Sequence, residues 1–271
     1  MDAAWTEAGG SGLRRTALIG ALAWVVLAGG AAAARAEGGE NGEAVRLASE
    51  PVPIFCESET KGFWPELLRK VFEPRGYEVE IQMVPFARGT KMVEEGQIDG
   101  LLTVYSAFIR NTFVPRWHVG MDNISAITLA SRDVEWNGPE TLRGKRVIWI
   151  RGYDYDEFID VPMAKNEVTS KESAIAMLER KRALFYLDNK RIVEILLREM
   201  KLPEETFRVF PIMDMKLFVG FHDGVRQREL ARIFDEEMDR LHASGELRRL
   251  AAAHAGVDNF PPQESPRPDG R

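Results

Sequence analysis

The chain has 271 residues, a formal net charge of −6, and 29% charged against 45% hydrophobic residues. An acidic balance argues against nucleic-acid and anionic-membrane binding, since both need clustered Lys and Arg. The single cysteine, Cys56, excludes an internal disulfide, so the fold must rest on its hydrophobic core.

At the N-terminus, Arg14 and Arg15 precede an apolar run from about Thr16 to Leu27. A stretch of small residues follows, ending in Ala34-Arg35-Ala36. This is the order of a secretory signal peptide over 1–36, cut after Ala36 (Ala33 or Ala34 being the alternatives), and it predicts a periplasmic protein. The competing reading is an uncleaved anchor helix, because the apolar stretch approaches a membrane span in length. Residues 1–36 carry three arginines against Asp2 and Glu7, a net +1, so the remainder carries −7. The glycine-rich "EGGENGEA" over 37–44 reads as a disordered leader.

From residue 45 two periodicities alternate. "VRLAS" (45–49) reads as a strand, and Trp64, Leu67, Leu68, Val71 and Phe72 share one face of a helix closed by Pro74 and Gly76. "YEVEIQMV" (77–84) is a strand, "ARGTKMVEEG" a short helix, and "GLLTV" (100–104) a buried parallel strand. Asp99 falls in the turn before it, where an aspartate can satisfy backbone donors. The pattern then repeats. Strands are expected at 125–132, 145–150 and 182–188, with helices over "DEFIDVPMA", "SKESAIAMLERK" and "NKRIVEILLREM". "RVFPI" and "MKLFVGFH" read as two further strands. One long and one short helix follow, broken at Ser244-Gly245, before a proline-rich disordered tail over 259–271. The alternation predicts an α/β fold. An echo between "KMVEEGQIDGLLTV" and "AMLERKRALFYLD" suits two lobes of similar construction.

Catalytic signatures are absent from the sequence. The four histidines have no metal-ligand spacing, Cys56 has no neighbouring base, and no nucleophile elbow, phosphate loop or dinucleotide fingerprint occurs. The sequence thus predicts no cofactor, no metal and no enzyme.

Four segments carry a resemblance. They are "VRLASEPVPIFCESETKGFWPELLRKVFEPRGYEVEIQMV", "VPFARGTKMVEEGQIDGLL", "LRGKRVIWIRGYDYDEF" and "ARIFDEEMDRLHASGELRRLAAAH". In order and spacing they resemble the bacterial extracytoplasmic solute-binding proteins of family 3, which serve ABC importers of polar amino acids. The resemblance implies a two-lobed periplasmic-binding-protein (type II) fold with two crossing strands. The first lobe would span 45–121 and 223–258, and the second 122–222. It also implies a monomer that takes a small amino-acid-like solute to an inner-membrane ABC permease. The alternatives are a periplasmic lyase or dehydratase on the same fold, and a sensor or partner-binding domain.

The resemblance places Arg110 on a ligand carboxylate, with Arg116 as the nearby substitute. The preceding "YSAFIR" is one residue short of the family pattern and lacks its threonine pair. Asp188 would pair with the ligand amine, although it also suits the N-cap of the next helix. Phe55 and Phe86 would stack on the ligand, whereas Trp64 reads as core. From the residues themselves, Gly152 and Tyr153 precede an expected helix whose free N–H groups would suit an anionic ligand end. Asp154 or Asp156, if turned into the cleft, would instead favour a basic ligand.

Overall fold

A computed structural model describes residues 43–105 and 109–254. The signal peptide and the proline-rich tail expected from the sequence lie outside these residues. Among the described residues, nine strands form one continuous hydrogen-bonded sheet: β1 (Glu43–Ser49), β2 (Tyr77–Met83), β3 (Gly100–Val104), β4 (Thr112–Phe113), β5 (Gly120–Leu129), β6 (Arg146–Ile150), β7 (Ala164–Val168), β8 (Phe185–Asn189) and β9 (Phe207–His222). The strand order is β2-β1-β3-β9-β5-β8-β6-β7, with β4 on β9 as well. Strand β1 thus begins at Glu43, inside the stretch expected to be leader.

The sheet consists of two similar halves. In the first, β2, β1 and β3 are parallel and β9 runs antiparallel to β3. In the second, β7, β6 and β8 are parallel and β5 runs antiparallel to β8. The order 2-1-3 therefore recurs as 7-6-8. The sequence echo joins matching units, since the helix before β3 is α2 (Phe86–Glu94) and the helix before β8 is α3 (Lys171–Glu179). Two lobes result, linked by β5 and β9, which pair along the whole of β5.

Each lobe has its own core. In the first, α1 (Phe63–Phe72) buries Phe63, Trp64, Leu67 and Leu68 against the long α5 (Val225–Ala243) and the short α6 (Glu246–Ala253). Gly245, at φ 70°, makes the break between those two helices. In the second lobe, α3 and α4 (Lys190–Glu199) cover one face of the sheet, with Ile175, Leu178, Val193 and Leu197 buried. Ser170 caps α3 through Ser173 N–H, and Asn189 caps α4 through Ile192 N–H.

Two sequence expectations are corrected. The helix over "DEFIDVPMA" does not form; a single turn at Tyr155–Glu157 gives way to β7. Asp154 enters that turn at φ 44°, Ile159 and Val161 bury their side chains in the core, and Pro162 cannot continue a helix. "RVFPI" and "MKLFVGFH" are one 16-residue strand rather than two. Pro211 sits beside an irregularity in the register with β5, between Ile124 and Ser125, the kind of place where a strand tolerates proline.

Candidate ligand-binding cleft

In an open α/β sheet, ligands collect outside the carboxyl ends of the strands, where the strand order reverses. Both lobes turn such a point toward the same cleft, which holds about 990 Å³ of empty space counting its open mouth. From the first lobe come Glu50, directly after β1, and Thr103 and Tyr105 at the end of β3. From the second come Gly152 and Tyr153 after β6, Lys171 at the start of α3, and Asp188 and Asn189 at the end of β8. Met121 and Asp122 of β5 line it where the chain crosses between lobes.

Thr103 marks the end of β3 by a register break between Leu102 and Val104 and a φ of 68°. A β-branched residue pays about 1–3 kcal/mol for that backbone, a cost found most often at ligand sites. Gly62 (φ 126°) holds the neighbouring loop in place. A Cβ there would meet the Phe55 carbonyl oxygen at 2.5 Å, so only glycine lets that loop seat Phe55 against Trp64, with ring centroids 5.0 Å apart.

A chain of hydrogen bonds crosses the cleft. Tyr153 donates its hydroxyl to Glu50 of the other lobe. Lys171 Nζ donates to Tyr153 Oη at 2.9 Å and to Asp188 Oδ2 at 3.3 Å, and lies 5.0 Å from the Tyr153 ring centroid. Asp188 also accepts from the Tyr186 hydroxyl and, at 2.7 Å, from Asn189 N–H. Beside this chain, Asp122 accepts from the Tyr105 hydroxyl and from Asn189 Nδ2 at 2.9 Å.

The electrostatics follow from burial. Desolvation raises the Glu50 carboxyl above its ordinary range, despite the opposing effects of Lys171 and the Tyr153 hydrogen bond. It pushes Asp122 up to about 6. Burial also holds the Tyr105, Tyr153 and Tyr186 hydroxyls far above the usual phenol range, so they remain donors. For Lys171, burial works downward, but the charges of Asp188 and Glu50 outweigh it and keep the ammonium protonated. Asp154 is raised by burial, then by Glu167 and Asp156.

Of the residues singled out from the sequence, Asp188, Phe55, Phe86, Gly152 and Tyr153 all line the cleft. Trp64 is both core and cleft wall, buried to 1% exposure with Nε1 donating to Val119 O at 2.9 Å. Gly152 sits where the lobes touch. A Cβ on it would lie 3.3 Å from Ala87 Cβ of α2, and its φ of 87° suits glycine alone. The anion-binding helix start expected after it is absent, because that helix does not form. Asp154 lines the cleft, whereas Asp156 pairs with Lys165 at 2.6 Å.

Arg110 is not brought to the cleft. Its side chain is 87% exposed and its Nε lies 3.6 Å from Glu94 at the end of α2. The reason is the path of the chain. After β3 ends at the cleft, the chain doubles back, and by Phe113 it pairs with Phe221, the residue that faces Gly100 at the opposite end of β3. Arg116 is also elsewhere, bonded to Asp239. His118 is buried and bonds Gly120 O through Nδ1 at 3.0 Å, and Cys56 is a buried free thiol raised by desolvation.

Sequence reading missed Lys171, Glu50, Asp122 and Tyr105. Lys171 carried a faint signal, since a cation at the first position of a helix opposes the helix dipole and calls for a partner. Among the described residues, no group of three or more His, Cys, Asp and Glu could hold a metal.

No family model and no curated protein matches the sequence. Solved structures do match the fold. An ABC uptake transporter substrate-binding protein from Streptococcus pneumoniae with bound histidine aligns at TM-score 0.65 and 16% identity, covering 83% of this chain and 95% of that one. A histidine kinase sensor domain with similarity to periplasmic binding proteins aligns at 0.67 and 16%, covering 80% and 98%. An ancestral arginine-binding protein bound to arginine aligns at 0.63 and 14%, covering 80% and 100%. The chain therefore has the two-lobed α/β fold of the periplasmic binding proteins, with β5 and β9 as the crossing strands.

Proposed function

We propose that this chain is a periplasmic solute-binding protein of an ABC importer, working as a monomer that captures a small, polar, amine-bearing solute and hands it to an inner-membrane permease. The observation that carries this reading is the cleft itself. Both lobes line it, and the path Glu50–Tyr153–Lys171–Asp188 bridges it. A solute touching both walls favours the closed arrangement by the difference between its affinities for closed and open lobes. Asp188, Phe55, Phe86, Tyr153 and the Gly152 contact form the proposed solute site, joined by Glu50, Asp122, Tyr105 and Lys171. The site makes and breaks no bond.

A thermal-shift panel of amines and amino acids tests this, because a solute at 100 times its Kd adds about 2.7 kcal/mol of stability. A stabilising solute recovered unchanged supports the binding reading. Conversion to product would replace it with the lyase or dehydratase alternative. The match to a sensor domain favours a second reading, in which binding is reported to a partner rather than followed by uptake. Uptake of labelled solute by cells lacking the protein separates the two: lost accumulation supports the importer, and unchanged accumulation supports the sensor.

A further inference from the structure

We propose that the solute is an organic cation that carries no carboxylate: a primary amine, a guanidine or a quaternary ammonium compound. This rests on the solute-binding reading and names the class of solute.

The charges around the cleft do not balance. Four carboxylates line it, namely Glu50 from the first lobe, Asp122 on the crossing strand, and Asp154 and Asp188 from the second lobe. Lys171 is the one cation among the described lining residues. Its ammonium is already held by Asp188 and Tyr153, with only 16% of its side chain exposed. Lys171 thus occupies, from within the chain, the place on Asp188 that a solute's amine would take. Glu50 and Asp122 receive neutral hydroxyl and amide donors only, and no described side chain pairs with Asp154. Three carboxylates therefore face the empty space with no cation in hydrogen-bond contact among the described residues; Lys171 acts on Glu50 and Asp122, and Lys165 on Asp154, only from a distance. Burial raises the pKa of all three, and a bound positive charge would reverse that penalty.

A zwitterionic amino acid also needs a site for its carboxylate, and the one cation among the described lining residues, Lys171, is already held by Asp188 and Tyr153. No arginine lines the cleft among the described residues, and Arg110 and Arg116 pair elsewhere. The Ile192 N–H in the first turn of α4 is already capped by Asn189 Oδ1 at 3.1 Å. Much of the remaining wall is aromatic or aliphatic, including Phe55, Trp64, Phe86, Phe158 and Leu217. Aromatic faces attract cations through the ring quadrupole and repel anions. Carboxylates and rings around one cavity suit a cationic head on an apolar body.

Matched pairs that differ in the carboxylate provide the test. Calorimetric titration of the purified protein would use agmatine against arginine, cadaverine against lysine, and choline against glycine betaine. In at least one pair the carboxylate-free member should bind at least tenfold tighter than its twin. Its affinity should fall as salt is raised and fall about tenfold in Asp154→Asn, which removes no side-chain hydrogen bond among the described residues. If a carboxylate-bearing twin binds as tightly, or if glutamate or succinate binds, the proposal is overturned while the solute-binding reading stands. If no small solute binds at millimolar concentration, both fall.

Discussion

Asp99 and Asp188 look alike by every local measure but sit at opposite ends of their strands. Both are buried aspartates at strand ends, 6% and 3% exposed, and both have a cation within 3.3 Å. Asp99 precedes β3, at the amino end of the parallel strands. There its carboxylate accepts from Arg46 N–H at 2.8 Å, Gln227 Nε2 at 2.8 Å and Arg226 Nε at 3.2 Å, tying β1 to α5. Asp188 closes β8 at the carboxyl end, where the connections diverge and leave a cavity. Burial and charge do not separate the two. The end of the sheet and the adjacent empty space do, and they are what make Asp188 the candidate.

The hardest test of this contrast is Asp99→Ala. It strands a buried N–H and two charged or polar donors, and should cost about 3 kcal/mol in urea unfolding while leaving solute affinity within twofold. An affinity loss beyond what unfolding explains would break the comparison. Acid should next separate the buried groups at the crossing. Burial and Lys216 depress His118 to about 4, so the folded state keeps it neutral. Its contribution is present above the unfolded value of 6.5 and is lost as pH falls toward 4. At pH 5 this amounts to about 2 kcal/mol, and His118→Gln should abolish that part of the acid loss.

Asp122 runs the other way. Its folded pKa of about 6 lies above the ordinary 3.8, so its contribution is complete below 3.8 and lost as pH rises through 6. Between pH 7 and pH 5 wild type should gain about 1 kcal/mol relative to Asp122→Asn. The smallest effect belongs to Arg110→Ala. An exposed ion pair contributes about 0.5 kcal/mol or less, and both stability and solute affinity should stay near wild type. A large loss of affinity there would return Arg110 to the site.

Much of this molecule was legible in advance where one period dominates. Helices α1, α4 and α5 followed from their apolar faces, and the place of Asp188 at the carboxyl edge of a strand from the apolar run before it. The errors have a common origin. Arg110 follows a strand just as Asp188 follows one, but the chain after β3 doubles back to the far end of the sheet, and nothing in "TVYSAFIR" states that. The helix over "DEFIDVPMA" failed because its apolar residues are needed on the second lobe's core while Asp154 takes a left-handed turn. Glu50 and Asp122 look like ordinary surface acids until the other lobe supplies Tyr153 and the first supplies Tyr105.

Local pattern thus determined the alternating elements and the acidic character of the whole, and only hinted at two similar sets, because periodicity, capping and charge act within a few residues. Which charges meet was decided only by the tertiary structure. Lys171 and Asp188 are 17 positions apart, and Glu50 and Tyr153 are 103 apart. Such pairs form because strand order and crossing direction bring them to one edge, and a carboxylate becomes costly to ionise only once that assembly has taken its water away.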